Sequence, residues 1–349
     1  MKAITIIKRL SVACMAMLLL GSKAVAQDEN LVLHYTFDNV SGTSVSDASA
    51  SGVSAKLVSP AKVEKMGKYS VLNLGAGSGY LDMTSAAGAV VKNLSDFTVS
   101  AYYLVDSDAS LSGNGYFLWC FSSVAANTQT SGVFSAYRLN AQRFATSPKG
   151  WGSEVGIEKG AEATKGTWQN VTYVQSGTTG KLYVDGTLIG TQTGMPVLSS
   201  IFTTAPAYNW IGRPPFSGDN YLKNTMVADF RVYNIAVSAE VLDSLAGGAE
   251  SYNYEYRYGT AGDPSKLKAK KEECEAYLAQ ITATEYPQGA IDELQDQINI
   301  AGSYLASGNA SQVLLDECLA AMTSALANLK AVKGKTLWAE SDFAGGDRG

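Results

Sequence analysis

The 349-residue chain is long enough for about two domains, and its 27 Lys and Arg against 32 Asp and Glu give a formal charge of −5. That balance argues against nucleic acid or an anionic membrane as partner, because both are held by clustered cations. A single histidine and the lack of any Cys-x-x-Cys pair argue equally against a zinc centre.

The N-terminus reads as a processing segment. Lys2, Lys8 and Arg9 precede the apolar run Leu10 to Leu20, and Ala24-Val25-Ala26 is a small-residue cleavage signal. Residues 1–26 are therefore expected to be a signal peptide and the mature chain to be exported, to the periplasm, the cell surface or beyond. Its removal takes four cations and moves the charge from −5 to −9. Cys14 lies inside the apolar run rather than at its end, which speaks against a lipid anchor. No later stretch has the ~18 apolar residues of a membrane span.

From Gln27 to Gly248 the period is two. Leu31 to Phe37 opens as a strand, and Asp38 to Gly52 is a Ser/Gly/Asp loop. Val71 to Leu74, Tyr80 to Met83, Phe97 to Tyr103, Tyr116 to Phe121 and Val133 to Leu139 follow as strands. Cys120, inside an apolar run, reads as a buried small hydrophobe. Trp168 to Gly190 is a meander with turns at Ser176-Gly177 and Asp185-Gly186. Asn209 to Arg213 is stopped by Pro214-Pro215, and Met226 to Tyr233 closes the sheet.

The meander has the pattern W-x-x-V-x-Y-V-x-x-G-x-x-x-L-Y-V-D-G-x-x-I. With the opening L-x-L-x-Y-x-F-D and the later L-S-D-F-T-V-S-A-Y-Y, W-I-G-R and A-D-F-R-V-Y-N-I-A-V-S-A-E-V-L, it resembles the laminin-G-like jelly rolls of the concanavalin A-like lectin/glucanase superfamily. The resemblance runs from about residue 30 to 246. It implies a mostly β fold, an antiparallel two-sheet jelly-roll sandwich, and a short helix starting at Ser238. Asn224-Thr225 stands where the family often has glycine before the last strand, so the loop there is expected to differ.

Residues 249–264 alternate tyrosine with polar residues from Tyr252 to Tyr258, then turn to glycine and proline. They read as an extended segment, either an edge strand or a tethering linker. Residues 265–333 change to a helical period. Leu267, Cys274 and Leu278, then Ile291, Leu294 and Ile298, then Leu315, Cys318 and Met322 form three stripes. Three such helices make an up-down-up bundle, and this one resembles the FIVAR spacer module of exported bacterial glycan-active proteins. In that arrangement the first and third helices run parallel, so Cys274 and Cys318 are candidates for a disulfide; the alternative is two packed thiols. The tail, 334–349, reads as the entry to a further domain of a longer product.

Catalysis would need paired acids on one strand, as in E-x-D-x-x-E. Glu154, Glu158 and Glu162 recur at a spacing of four that no strand aligns, and Asp106 and Asp108, two apart, sit in a turn-rich segment. His34, between Leu33 and Tyr35, reads as structural rather than as a general base. The resemblance implies one structural calcium at Asp38 and Asp229, near Asp47; as a plain sequence feature, Asp38 and Asp47 are turn formers. Sugars stack on exposed rings, so loop aromatics and their polar neighbours are the ligand candidates: Trp151 between glycines, Tyr208, Arg213, Asp219 and Tyr221. Trp119, Trp168 and Trp210 read as core. The expected function is non-catalytic carbohydrate binding in a glycan-utilisation system, with a polysaccharide or other glycan as partner. The alternatives are adhesion through other cell-surface proteins and a fragment of a larger glycoside-active enzyme.

Overall fold

In Leu31-Val32-Leu33-His34-Tyr35 the odd positions are buried and the even ones half-buried, the two-residue period of a strand with one face in a core. The computed structural model describes residues 28–124, 131–158 and 162–334. The expected signal peptide, and all of the expected tail but Gly334, lie outside the described residues.

The chain first forms strands β1 (Leu31–Tyr35), β2 (Val40–Ser41), β3 (Ser44–Val45), β4 (Ala55–Val58), β5 (Lys62–Met66), β6 (Tyr69–Asn73) and β7 (Tyr80–Asp82), then helix α1 (Thr84–Val91). Next come β8 (Phe97–Val105), β9 (Phe117–Ser122), β10 (Gly132–Arg138), β11 (Ala141–Ser147), β12 (Val155–Ile157), β13 (Trp168–Ser176), β14 (Thr179–Val184) and β15 (Thr187–Thr193). Helix α2 (Leu198–Ile201), β16 (Tyr208–Ile211), β17 (Thr225–Tyr233) and helix α3 (Ala239–Tyr258) follow. Helices α4 (Ser265–Gln280), α5 (Gln288–Ser307) and α6 (Gln312–Ala331) end the described chain. Strands β2 to β5, β11 and β12 and helices α1 and α2 are additional to the elements expected from sequence. Most are short or mix Lys, Ser and Thr, so their neighbours rather than a long alternation hold them in place.

The strands build two antiparallel sheets. One runs β15-β14-β13-β8-β17-β6-β5, with β1 also paired to β17; the other runs β12-β11-β10-β9-β16-β7-β4-β3-β2. The sheets face each other as a jelly-roll sandwich. Val99, Ala101 and Tyr103 of β8, Tyr173 of β13 and Phe230 of β17 meet Trp119 and Phe121 of β9 and Phe144 of β11 in one core. The Phe144 and Tyr173 rings stack 3.3 Å apart by centroid across it. The meander pairs as its sequence predicts, with Val171 opposite Val184 and Tyr173 opposite Leu182. Asp185 (φ 48°) and Gly186 (φ 75°) make its two-residue turn, a primed turn that favours Asp-Gly because both positions need positive φ.

Every residue of β8 is buried, so the alternation one core would give is lost. The reason is α3, which covers the other face of that sheet through Leu245, Ala249 and Tyr252, spaced for one face of a helix. Tyr102 donates its hydroxyl to Leu245 O at 2.7 Å. The Tyr252 ring lies 4.2 Å from Tyr69, 4.6 Å from Tyr102 and 5.4 Å from Trp168. Under the helix, Asn170 Nδ2 donates to Ser100 Oγ (3.0 Å) and Thr172 Oγ1 to Asn170 Oδ1 (2.7 Å). Residues 249–258 are thus helix, not the extended segment expected from alternating tyrosines. Tyr252 is the one tyrosine of the four that is buried, and Tyr256, one turn further along the same face, is already 44% exposed.

The chain divides into two units, the first ending at Tyr252. In the second, α4, α5 and α6 share a core of Leu267, Cys274, Leu294, Ile298, Leu315, Cys318, Met322 and Leu329, which are the expected stripes. Ser311 caps α6 by accepting from Leu314 N, and Gly308 (φ 66°) ends α5. Cys274 and Cys318 are buried free thiols; the disulfide is not formed, and both act as small apolar side chains.

Tyr252→Ala should lower the stability of the jelly roll by about 3 kcal/mol, read as the urea midpoint of tryptophan fluorescence. Tyr254→Ala, 62% exposed, should stay within about 0.5 kcal/mol. Equal effects of the two would contradict the helix packing described.

Candidate functional site

The outward face of the second sheet carries its own apolar cluster, made by Phe117, Cys120, Phe134, Ala136, Ala145 and Trp210, with Tyr80 and Phe216 against it. Strand period alone would put Phe117 and Cys120 on opposite faces. A register shift between β9 and β10, where Ser135 faces Trp119 but Ala136 faces Phe117, inserts Leu118 and brings both outward. Trp210 is buried as expected, but in this outer cluster rather than between the sheets.

Two loops rise beside this face. In the first, Gly150 (φ 76°) turns the chain into a 3-10 turn over Trp151–Ser153. Ser153 Oγ accepts from Lys149 N (2.8 Å) and donates to Gly150 O (2.9 Å). The loop is thereby closed on itself, and Trp151 stands 66% exposed. In the second, Asn220 is laced to the segment before β9. Tyr116 N donates to Asn220 O (2.7 Å), and Asn220 N and Nδ2 donate to Asn114 O (3.1 and 2.8 Å). Phe216 lies 6.2 Å from Phe117 and 5.9 Å from Phe134 by ring centroid.

Between the loops lies a cavity of about 560 Å³. Phe117, Ala136, Arg138 and Arg143 line its sheet side, with Trp151, Glu154 and Glu158 on one flank and Asn114, Phe216 and Asp219 on the other. Arg143 points out from β11 yet is only 6% exposed. Its Nη2 donates to Glu154 Oε2 and to Glu158 Oε1 (2.9 Å), its guanidinium carbon is 5.5 Å from the Phe134 ring, and its buried Nε has no hydrogen-bond partner. Burial works against the Arg143 charge, but the two glutamates outweigh it and hold the group above its ordinary pKa. Arg138 donates Nε to Asn114 Oδ1 (3.0 Å) and lies 3.8 Å from Glu158. Burial raises the Asp219 carboxyl; Arg138 and Arg143 pull it down and Glu154 pushes it up, leaving it above the usual carboxylate range.

Of the five predicted ligand residues, Trp151 and Asp219 meet at this cavity. Tyr208, Arg213 and Tyr221 belong instead to an aromatic stack on the same face. The Arg213 guanidinium sits 3.9 Å from Trp210 and 4.8 Å from Tyr80, and donates to Tyr80 Oη at 2.7 Å. Tyr208 packs edge-on to Trp210 at 5.5 Å, and Tyr221 is 6.3 Å from Tyr80. Arg143 and Arg138 escaped the sequence reading, which weighed Glu154 and Glu158 only as acids for catalysis and set them aside. The two glutamates are not aligned by any strand. They meet because the 3-10 turn precedes β12, which pairs with β11 at Thr146/Val155 and Phe144/Ile157, so the chain passes Arg143 twice.

The predicted calcium ligands do not make a common donor set. Asp38 accepts from Ser70 Oγ (2.8 Å), which also accepts from Lys65 Nζ (2.8 Å). Asp47 accepts from the backbone N–H groups of His34 (2.8 Å), Ser49 (2.8 Å) and Val53 (3.0 Å), the turn-forming role. Asp229, in a β17 bulge with φ 51°, accepts from Arg231 Nε (2.8 Å) and Nη2 (2.6 Å), and its Oδ1 is 2.6 Å from His34 Nε2. Both its oxygens already face cationic or donor groups, which a cation would have to displace. Among the described residues no three His, Cys, Asp or Glu side chains converge on a point that would hold a metal ion. A second cavity, of about 470 Å³, is lined by Phe37, Asp38, Leu57, Lys65 and Ser70 among others.

Burial pushes the Asp229 carboxyl up, but His34 and Arg231 together outweigh it and hold it below the ordinary value. A depressed folded pKa adds stability that is complete above about pH 4 and fades as pH falls below it. Asp229→Asn should cost about 3 kcal/mol at neutral pH and flatten the acid side of the stability profile, while chelator leaves the wild-type melting temperature unchanged. A melting temperature that rises with added calcium would contradict this account of the three aspartates.

Residues 75–242 match the Laminin_G_3 model of the concanavalin A-like lectin/glucanases superfamily. No curated protein matches the chain. Among solved structures, one of botulinum neurotoxin type C, whose cell entry is dependent upon interaction with two ganglioside molecules, is similar at 16% identity and a TM-score of 0.50, over 64% of this chain and 52% of that one. The binding domain of botulinum neurotoxin DC in complex with rat synaptotagmin II is similar at 15% identity and 0.49, over 64% and 52%. Domain 4 of AbnA, a GH43 extracellular arabinanase from Geobacillus stearothermophilus, in complex with arabinotriose, is similar at 13% and 0.46, over 62% and 98%. The chain spans about half the length of the toxin structures it matches. At these identities the likeness is one of fold: the β unit is an antiparallel two-sheet jelly roll, similar over residues 75–242 to the concanavalin A-like lectin/glucanases superfamily.

Proposed function

We propose that the chain is a non-catalytic glycan-binding protein of an exported glycan-utilisation system. Its jelly roll takes the sugar and its helical unit serves as a FIVAR-like spacer. The observation that carries this reading is the cavity beside Trp151. An indole 66% exposed offers a flat apolar face to a sugar ring, and the charged groups beside it offer donors and acceptors to the hydroxyls. That combination of an aromatic wall and a few convergent polar groups is the chemistry of a small-ligand site. The similar botulinum neurotoxin type C chain interacts with gangliosides, which supports a binding role for such a fold. Glu154 and Glu158 are both engaged by Arg143, which favours a fixed recognition surface over an acid–base pair. Exposed Tyr254 and Tyr256, on the part of α3 that belongs to the second unit, support a second reading, in which that unit meets a protein partner. Export rests on residues 1–26 alone.

The test is native affinity electrophoresis of the chain from Gln27 through gels containing different polysaccharides. At least one glycan should retard the protein, and Trp151→Ala should weaken that binding at least tenfold, about 1.4 kcal/mol. Retardation that Trp151→Ala leaves unchanged would move the site elsewhere, and no retardation by any glycan would overturn the reading.

A further inference from the structure

The ionisable side chains that line the Trp151 cavity are Arg138, Arg143, Glu154, Glu158 and Asp219, so three carboxylates face two guanidiniums. Both guanidiniums are already engaged within the chain, Arg143 through Nη2 and Arg138 through Nε. Arg143 is divided between Glu154 and Glu158, and Arg138 is held by Asn114 with Glu158 3.8 Å away. From these placements, and on the glycan reading above, we propose that the cavity selects neutral, hydroxyl-rich sugars and rejects glycans that carry carboxylates.

An acidic sugar needs a cation with an open hydrogen-bonding edge, as a bidentate guanidinium supplies. Here Nη2 of Arg143, one half of that edge, is already shared by two carboxylates of the chain itself. A ligand carboxylate would have to displace Glu154 or Glu158 and leave a carboxylate unpaired, or lie beside three like charges in a recess where water screens little. Asp219 shows what a carboxylate loses in this recess: burial raises its pKa, and Arg138 and Arg143, opposed by Glu154, do not bring it back down to the usual range. A neutral hydroxyl meets the opposite situation. It both donates and accepts, so it can donate to a Glu or Asp oxygen while accepting from a guanidinium. Arg143 also keeps one unsatisfied group: it is 6% exposed and its Nε has no partner. A buried donor left unpaired is unfavourable, so a ligand oxygen that reached it would be bound without displacing any existing contact.

Matched polysaccharides test this, each pair differing only in oxidation of C6: a glucan and a glucuronan, a galactan and a galacturonan, a mannan and a mannuronan. Binding of the chain from Gln27 is measured at low and at moderate ionic strength. In at least one pair the neutral member should bind and its acidic partner should bind at least tenfold more weakly. The difference should shrink as salt screens the carboxylates. Glu158→Gln, at a side chain 57% exposed and so no threat to folding, should reduce the difference to threefold or less. An acidic member bound as tightly as its neutral partner would overturn the selectivity while leaving the glycan site in place. So would a neutral preference unmoved by Glu158→Gln. Binding to none of the six would overturn the glycan reading and the selectivity together.

Discussion

A guanidinium on the outward face of a sheet, 6% exposed to water, is tolerable only if carboxylates accompany it, because an unpaired buried charge costs several kcal/mol. Arg143 is that group, and the rest of the candidate site follows from satisfying it. Glu154 and Glu158 must both reach β11. They do so only if the chain leaving β11 turns back at once and pairs as β12. The turn that accomplishes this is Trp151–Ser153, so the ion cluster also fixes where the exposed indole stands. The opposite flank is set independently by Asn220 and its hydrogen bonds to the segment before β9. The cavity is therefore bounded by two loops, each held by contacts of its own, on the floor of a sheet.

Most of the sandwich was legible because alternation is a direct consequence of strand geometry. β1, β8, the β13–β15 meander and β17 lie where apolar residues recur at every second position. The failures have specific causes. Where α3 covers the sheet, β8 is buried on both faces and its second face of Thr98, Ser100 and Tyr102 looks polar without being exposed. The tyrosines at 252, 254, 256 and 258 have the period of a strand, yet Leu245, Ala249 and Tyr252 have the period of a helix, and burial against Tyr69, Tyr102 and Trp168 decides between them. In the second unit Cys274 and Cys318 were correctly assigned to core faces, but a core position does not require a bond.

The site was legible in part, and for a different reason. Glycines on either side of Trp151 leave an aromatic with little local cover, and Asp219 lies in a proline-started loop, so both could be picked out. Arg143 stands in a strand that the sequence reading did not pick out, and nothing beside it in sequence marks its role. Its partners lie 11 and 15 residues on, and only a turn followed by an antiparallel return makes them neighbours. At Asp229 a bulge turns the side chain to Arg231 and His34, a setting that the alternation of β17 does not reveal. Tyr208, Arg213 and Tyr221 were read as ligand candidates from their place on loops; they pack with Trp210 and Tyr80, outside the lining of the Trp151 cavity.

The central claim is that one cavity, on one face of the jelly roll, is where the chain meets its ligand. NMR amide and indole shifts, followed while a neutral oligosaccharide is titrated into the protein, test it most directly. The account predicts that the Trp151 indole and the amides of Ala136, Arg143 and Gly152 move, while those around Asp38, Lys65 and Ser70 at the second cavity stay in place. Shifts confined to that second cavity, or spread over α4 to α6, would contradict it.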